Sequence, residues 1–333
     1  MKTVATLAAA LAVSLPLLSA CGSDEPALVV YNAQHEPLLK ELAPAFTEET
    51  GIEVQLRNGK DLELSNQLVE EGEASPADVF LTENSPAMSQ VEEAGLFAEL
   101  PASLVEPIPE QYRPASGLWT GFVARSTVLA YNTDQVDPDE LPASILDLAD
   151  PAWDGRISFS PTGADFQAIV AAVLELEGEE ATRAWLQGIK DNGTVYDGNN
   201  VVLEAVNSGR SDVGIVYHYY WERDRQENGD VSDNTAQYYF GGGDPGAFVS
   251  ISGAGVLASS DMPTEAERFI EFLVNETGQQ ILADSYALEY PLNPAVDLPQ
   301  VTQPFDELEP PAVNVSDLDA ATVVELMTEV GFL

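Results

Sequence analysis

The chain has 333 residues, of which 56 are acidic and 13 basic, giving a formal charge of −43 at pH 7. Such a surface repels nucleic acid and anionic lipid headgroups and draws in cations, although solubility in a salty habitat explains the acidity without any binding role. Hydrophobic residues make up 45% of the sequence, which suits a packed core and excludes a disordered acidic chain; the length suits two domains.

Residues 1–20 carry one cation, Lys2, and an apolar run through Leu18 that is too short to span a bilayer, the pattern of a signal peptide. The end of this segment, Leu18-Ser19-Ala20-Cys21, resembles the lipobox of bacterial lipoproteins. The resemblance implies cleavage before Cys21, lipidation of that residue and a short tether over residues 21–26. A plain secretory signal with an incidental cysteine is the alternative. Cys21 is the single cysteine, so an intrachain disulfide is excluded.

Residues 27–31 read as an apolar strand ending at Asn32-Ala33-Gln34-His35-Glu36. Pro37 opens an amphipathic helix with Leu38, Leu39, Leu42 and Phe46 at helical spacing, and Gly51 stops it. A strand over 52–56, a helix over 61–71, a strand over 79–81 and a helix over 86–94 follow. This βαβαβα order argues for a mostly parallel sheet flanked by helices. After a proline-rich stretch, 100–114, residues 119–131 form a long strand suited to carry the chain from one domain to the other. The alternation resumes with a strand at 157–160, helices at 166–176 and 179–190, a strand at 194–196, a helix at 201–208 and a strand at 213–216. Tyr217-His218-Tyr219-Tyr220 comes next, with a helix expected from Trp221. Beyond the glycine-rich turn at 241–246, a strand at 248–252 returns to the first domain. Helices at 264–274, 276–285 and 318–330 complete the chain. The expected plan is two α/β lobes, 27–127 with 248–298 and 128–247 with 299–333, each a mostly parallel sheet flanked by helices, with a hinge between them.

In a continuing strand, successive side chains point to opposite faces, so Tyr219 and Tyr220 reach one ligand only where the strand has ended. The carboxyl ends of strands are where open α/β sheets bind ligands. His35 after the first strand and Glu83 after the third occupy equivalent places. Two phenolates and one carboxylate supply three negative charges, the total that matches a trivalent cation. Oxygen-rich ligation with one imidazole suits a hard iron centre, whereas zinc or copper(I) favours thiolates, which this chain does not offer. An octahedral ion then leaves two positions for water or an anion. Each residue alone has a plainer reading. The tyrosines fit an aromatic cluster beside Trp221, His35 fits a polar turn, and Glu83 fits a site favoured by the following helix dipole.

Five motifs in the same order add a resemblance: Tyr31-Asn32-Ala33-Gln34-His35, Ser75-Pro76-Ala77-Asp78-Val79-Phe80, Tyr219-Tyr220-Trp221, Asp244-Pro245-Gly246-Ala247 and Glu289-Tyr290-Pro291-Leu292-Asn293-Pro294. Together they resemble the ferric-ion-binding proteins of bacterial iron ABC transporters across nearly the whole mature chain. The resemblance implies a bilobal type II periplasmic-binding-protein fold that captures Fe(III) through His35, Glu83, Tyr219 and Tyr220, with an anion completing the shell. It also implies a monomer without catalytic turnover, lipid-anchored on the outer face of the cell membrane, that delivers iron to an ABC permease.

The anion side departs from the family pattern. Relatives that use phosphate contact it with a Ser-Gly-Ala run at a helix start and two asparagines; here the run is Gly163-Ala164-Asp165, Asn199 matches one asparagine, and Tyr217 replaces the other. Backbone amides at Gly163 and Ala164 can still cradle an anion, with Asp165 read as a helix cap. These departures count against phosphate and leave carbonate, citrate or water open. Arg125 is either an anion partner or part of a surface or interlobe salt bridge. Tyr217 either hydrogen-bonds the anion or competes as a ligand, and His218 is a structural neighbour. Three alternatives stand beside iron capture, one of them, adhesion or signalling through a partner, leaving no mark in the sequence. In another, the same fold binds an organic or inorganic anion, with the tyrosines as hydrogen-bond donors. In the third, the chain is an anchored hydrolase, which lacks support because no Gly-x-Ser-x-Gly, His-Glu-x-x-His or cysteine nucleophile is present.

Overall fold

The computed structural model describes residues 26–299, 301–315 and 317–333; the expected signal peptide, Cys21 and the tether up to residue 25 lie outside the described residues. The first half-lobe runs β1 (Leu28–Asn32), α1 (Glu36–Thr50), β2 (Val54–Asn58), α2 (Asp61–Glu71), β3 (Val79–Leu81) and α3 (Ser85–Glu93), followed by a one-turn helix, α4 (Ala102–Val105). α1 buries Leu38, Leu39, Leu42 and Phe46, and Gly51 ends it at φ 77°, a left-handed conformation that glycine adopts without strain. β1 pairs in parallel with both β2 and β3, as the βα alternation requires.

The chain continues through β4 (Thr120–Asn132), β5 (Ile157–Phe159), α5 (Ala164–Glu177), α6 (Glu179–Asn192), β6 (Gly193–Val195), α7 (Asn199–Asn207), β7 (Val213–Tyr217) and α8 (His218–Asn228). It ends with β8 (Thr235–Tyr238), β9 (Val249–Val256), α9 (Pro263–Val274), α10 (Glu276–Asp284), β10 (Tyr290–Pro291) and α11 (Ala320–Val330).

β4 ties the molecule together. Its residues 120–126 pair antiparallel with β9, and from Thr127 onward it pairs antiparallel with β7 and then β8. The strands therefore form one path, β2-β1-β3-β9-β4-β7-β5-β6, with β8 and β10 also attached to β4. The βα units supply the parallel pairs on either side, including β5 with β6 and β7. The crossing strands β4 and β9 add the antiparallel ones. Two large apolar cores flank this crossing. One gathers Phe46, Phe80, Trp119, Phe122 and Phe269; the other gathers Trp153, Phe159, Phe166, Trp185 and Tyr217, with α11 packed on it through Val323, Leu326 and Met327.

Two differences from the sequence reading bear on function. The helix expected from Trp221 begins at His218, because β7 passes into α8 with no linker, so Tyr219 and Tyr220 form its first turn. β8 was not expected from the sequence; its side chains are mostly half-buried, which leaves a weak alternating pattern.

Candidate metal centre

The expected ligands come from chain ends that the crossing strand brings face to face. His35 is the residue preceding α1, and Glu83 lies in the turn between β3 and α3. Asp61, at the start of α2, accepts the backbone N–H groups of Glu83 and Asn84 at 2.9 Å each and so fixes that turn. Across the cleft, the opening turn of α8 places Tyr219 and Tyr220 with ring centroids 4.3 Å apart. Adjacent helical residues diverge by about 100°, yet both hydroxyls reach the same carboxylate.

That carboxylate is Asp165. Tyr220 donates to its Oδ2 at 3.1 Å and Tyr219 at 3.4 Å, while Tyr219 also donates to Glu83 Oε1 at 3.1 Å. His35 Nε2 lies 3.4 Å from Glu83 Oε1. His35, Glu83, Tyr219, Asp165 and Tyr220 thus form an unbroken run of polar contacts. Among the described residues, no group of three His, Cys, Asp or Glu side chains is placed to hold a metal, so a centre here depends on the phenols.

Asp165 is not the cap of α5. Gly163 holds the cap position, and Asp165, two residues further, turns its buried carboxylate to Asn84 Nδ2 (3.3 Å) and Asn199 Nδ2 (2.8 Å) as well as to the tyrosines. Its contacts were missed because a carboxylate at a helix start reads as a cap. Gly163, Ala164 and Asn199 line the adjoining cleft, of about 350 Å³, together with Lys60, Thr162 and Tyr220. Tyr217 faces elsewhere: its hydroxyl bonds the Asn84 side chain (3.2 Å) and the Asp165 carbonyl (3.3 Å), fully buried.

Arg125 is in a salt bridge, but a buried one between residues 125 and 289 of the same expected lobe, neither at the surface nor across the cleft. It is fully buried, with Nη2 2.7 Å from Glu289 Oε1, Nη1 donating to the Glu83 carbonyl and Nη2 to Ser252. These contacts spend its donors on the scaffold behind Glu83. His218 is likewise structural: its Nδ1 accepts the Ser126 N–H at 3.2 Å, its Nε2 faces the Leu288 carbonyl at 3.0 Å, and the ring stacks on Tyr290. Burial lowers its pKa to about 3, so it stays neutral.

Electrostatics around the cluster favour protonated donors until a cation arrives. Burial, then the Asp165 charge, raises both Tyr219 and Tyr220 well above the ordinary phenol value. Burial and Glu83 push Asp165 up to about 7. For His35, burial opposes the charged form, but Glu83 and Glu289 outweigh it and raise the pKa. Its Nδ1 lies 3.5 Å from Glu289 Oε1 without a hydrogen bond, a carboxylate–imidazole approach of the kind that orients a ligand. Burial also opposes the charge of Glu289, yet Arg125 and His35 hold that carboxyl at about 2.

Residues 74–312 match the bacterial extracellular solute-binding protein family. The chain belongs to that family. Over 311 residues this solute-binding protein is 52% identical to the Fe(3+)-binding periplasmic protein of Serratia marcescens, covering 93% of this chain and 92% of that one. The iron-bound structure of HitA from Pseudomonas aeruginosa superposes with a TM-score of 0.86 at 40% identity, covering 92% of this chain and 100% of the other. The Trichodesmium protein IdiA (FutA), in complex with iron and citrate, gives 0.81 at 29% identity, again with 92% and 100% coverage. The solute-binding protein therefore has the bilobal α/β periplasmic-binding-protein fold.

Proposed function

We propose that this solute-binding protein captures Fe(III) between its lobes and delivers it to the membrane permease of an ABC importer. The observation that carries the proposal is the run of contacts His35–Glu83–Tyr219–Asp165–Tyr220, which draws hard donors from both sides of the crossing strand. The ferric-binding relatives support the same reading. In it, residues 27–127 with 248–298 form one jaw and 128–247 with 299–333 the other. Closure brings His35 and Glu83 to Tyr219, Tyr220 and Asp165.

Asp165 supplies from within the chain the negative charge expected of an added anion. The cleft beside it has room for a small carboxylate or phosphate, and the Trichodesmium neighbour holds iron with citrate. Iron binding that needs no phosphate, carbonate or citrate is the expected result, and an Asp165→Ala protein should regain a dependence on added anion. If the wild type binds iron only with an added anion, Asp165 is not the substitute. The metal-free alternative, an anion held by the tyrosines, is disfavoured because Glu83 and Asp165 already occupy those hydroxyls and would repel a second anion.

The protein acts by binding and release, without turnover, as a monomer outside the cytoplasm. Cys21 lipidation tethers it to the outer face of the cell membrane. Tyr219→Phe and Tyr220→Phe each remove one phenolate and should weaken ferric binding by about two orders of magnitude or more; unchanged affinity in both would overturn the site.

A further inference from the structure

Arg223 lies one turn along α8 from the tyrosines, at i+4 from Tyr219 and i+3 from Tyr220, the spacing that puts side chains on one helical face. Its guanidinium carbon is 4.3 Å from the Tyr219 ring centroid, 5.4 Å from that of Tyr220 and 5.5 Å from that of Tyr286, which lies between α10 and β10. Arg57, Arg125, Arg156, Arg183, Arg210 and Arg225 each have a carboxylate within 3.9 Å, whereas Arg113, Arg223 and Arg268 form no ion pair among the described residues, and of these three Arg223 is the one against the tyrosines. Arg223 has neither an ion pair nor a hydrogen bond among the described residues. In a chain with 56 acidic residues, this guanidinium rests against phenol faces with no carboxylate at ion-pair distance, although its charge reaches Glu289.

Charge accounting points the same way. Glu83, Asp165 and two phenolates carry four negative charges around a trivalent ion, an excess of one. Arg125, whose guanidinium carbon is 6.0 Å from the Tyr219 centroid, is already paired with Glu289, and Lys60 lines the cleft without lying over either phenol ring. A cation over an aromatic face is favourable for a neutral ring, and the attraction strengthens when the ring becomes a phenolate in a partly desolvated site. The same positive charge lowers the energy of the phenolate electrons, so moving one to Fe(III) by light costs more.

We propose that Arg223 is a positioning and tuning residue for ferric capture. Its stacked guanidinium stabilises the paired phenolates, tightens Fe(III) binding and raises the energy of phenolate-to-iron charge transfer. The inference rests on the ferric reading of the site.

The test compares the full-length mature wild type, Arg223→Gln and Arg223→Lys. Each is titrated with ferric nitrilotriacetate while the visible band and the competition constant are recorded. The expected result is a band at longer wavelength and Fe(III) affinity lower by about tenfold or more in Arg223→Gln, with Arg223→Lys returning both toward the wild type. A wild-type band position and affinity in Arg223→Gln would overturn the inference while leaving the ferric site standing. Equal red shift and weakening in Arg223→Gln and Arg223→Lys would overturn it in favour of packing alone. A wild type with no band would overturn the ferric reading itself, and the inference with it.

Discussion

Tyr219 is fully buried and Tyr220 partly exposed, yet both hydroxyls end on the same Asp165 oxygen. Burial holds both phenols protonated in the metal-free protein, so a ferric ion must displace two protons to use them. Loading in weakly buffered solution should therefore release about two protons from the tyrosines per ion, and Tyr219→Phe should lower the yield by about one. Release that is unchanged in the mutant would remove that phenol from the site. Binding weakens as pH falls, because protons compete for the donors.

Asp165 adds a stability effect of the opposite sign to the usual carboxylate. Its pKa is raised from 3.8 to about 7, so between those values the native state holds a proton that the unfolded chain has lost. Its contribution to the stability of the metal-free protein thus falls as pH rises from about 4 to about 7, by on the order of 1 kcal/mol per pH unit. Asp165→Asn should flatten this part of the pH–stability curve and, at pH 7, give a metal-free protein more stable than the wild type in urea unfolding. An unchanged curve would place the Asp165 carboxylate in a solvated environment. Glu289 poses the converse case. Removing its charge in Glu289→Ala leaves the buried Arg125 unpaired, and a loss of about 3–5 kcal/mol is expected.

At the scale of elements, the regular parts were legible because burial imposes a period. α1 buries Leu38, Leu39, Leu42 and Phe46 as the helical spacing required, and α2 runs over the expected 61–71. β3 and β7 are fully buried apolar runs, visible without alternation. His35, Glu83, Tyr219 and Tyr220 stood out as candidates because each follows a strand end, and the fold brings the four together. What escaped was non-local. The Arg125–Glu289 pair joins residues 164 apart in the chain, and no spacing reveals it. Asp165 and Asn84 meet only when two helix starts face each other, so neither carries a local signal. The start of α8 was misplaced because Tyr217, His218, Tyr219 and Tyr220 have modest helix propensity and continue the β7 run. These residues are fixed by tertiary contacts, Gln237 Nε2 donating to the His218 carbonyl at 2.6 Å among them.

On the scale of the whole molecule, the crossing strand β4 has a first part in one sheet and a last part in the other. Side chains also bridge the expected lobes: Asn84 reaches Tyr217 and Asp165, and it is held from its own side by Ser250 on β9, which donates to the Asn84 oxygen at 2.6 Å. Under the proposed capture between lobes, Asn84 is the latch that holds the cleft closed beside the candidate ligands. Asn84→Ala should preserve the fold but favour an open state, seen as a larger radius of gyration by small-angle scattering before iron is added and a return toward the compact value afterwards. A compact metal-free mutant would show that other contacts suffice for closure.

The central claim is that adjacent phenolates hold a single ferric ion. The most direct test is a visible absorption titration of metal-stripped mature protein with a weakly chelated ferric salt, with and without phosphate and carbonate. The account predicts a charge-transfer band that saturates at one equivalent, forms without added anion and is weakened when Tyr219 or Tyr220 is replaced by Phe. Absence of the band, with no iron-dependent shift in thermal unfolding, would contradict it.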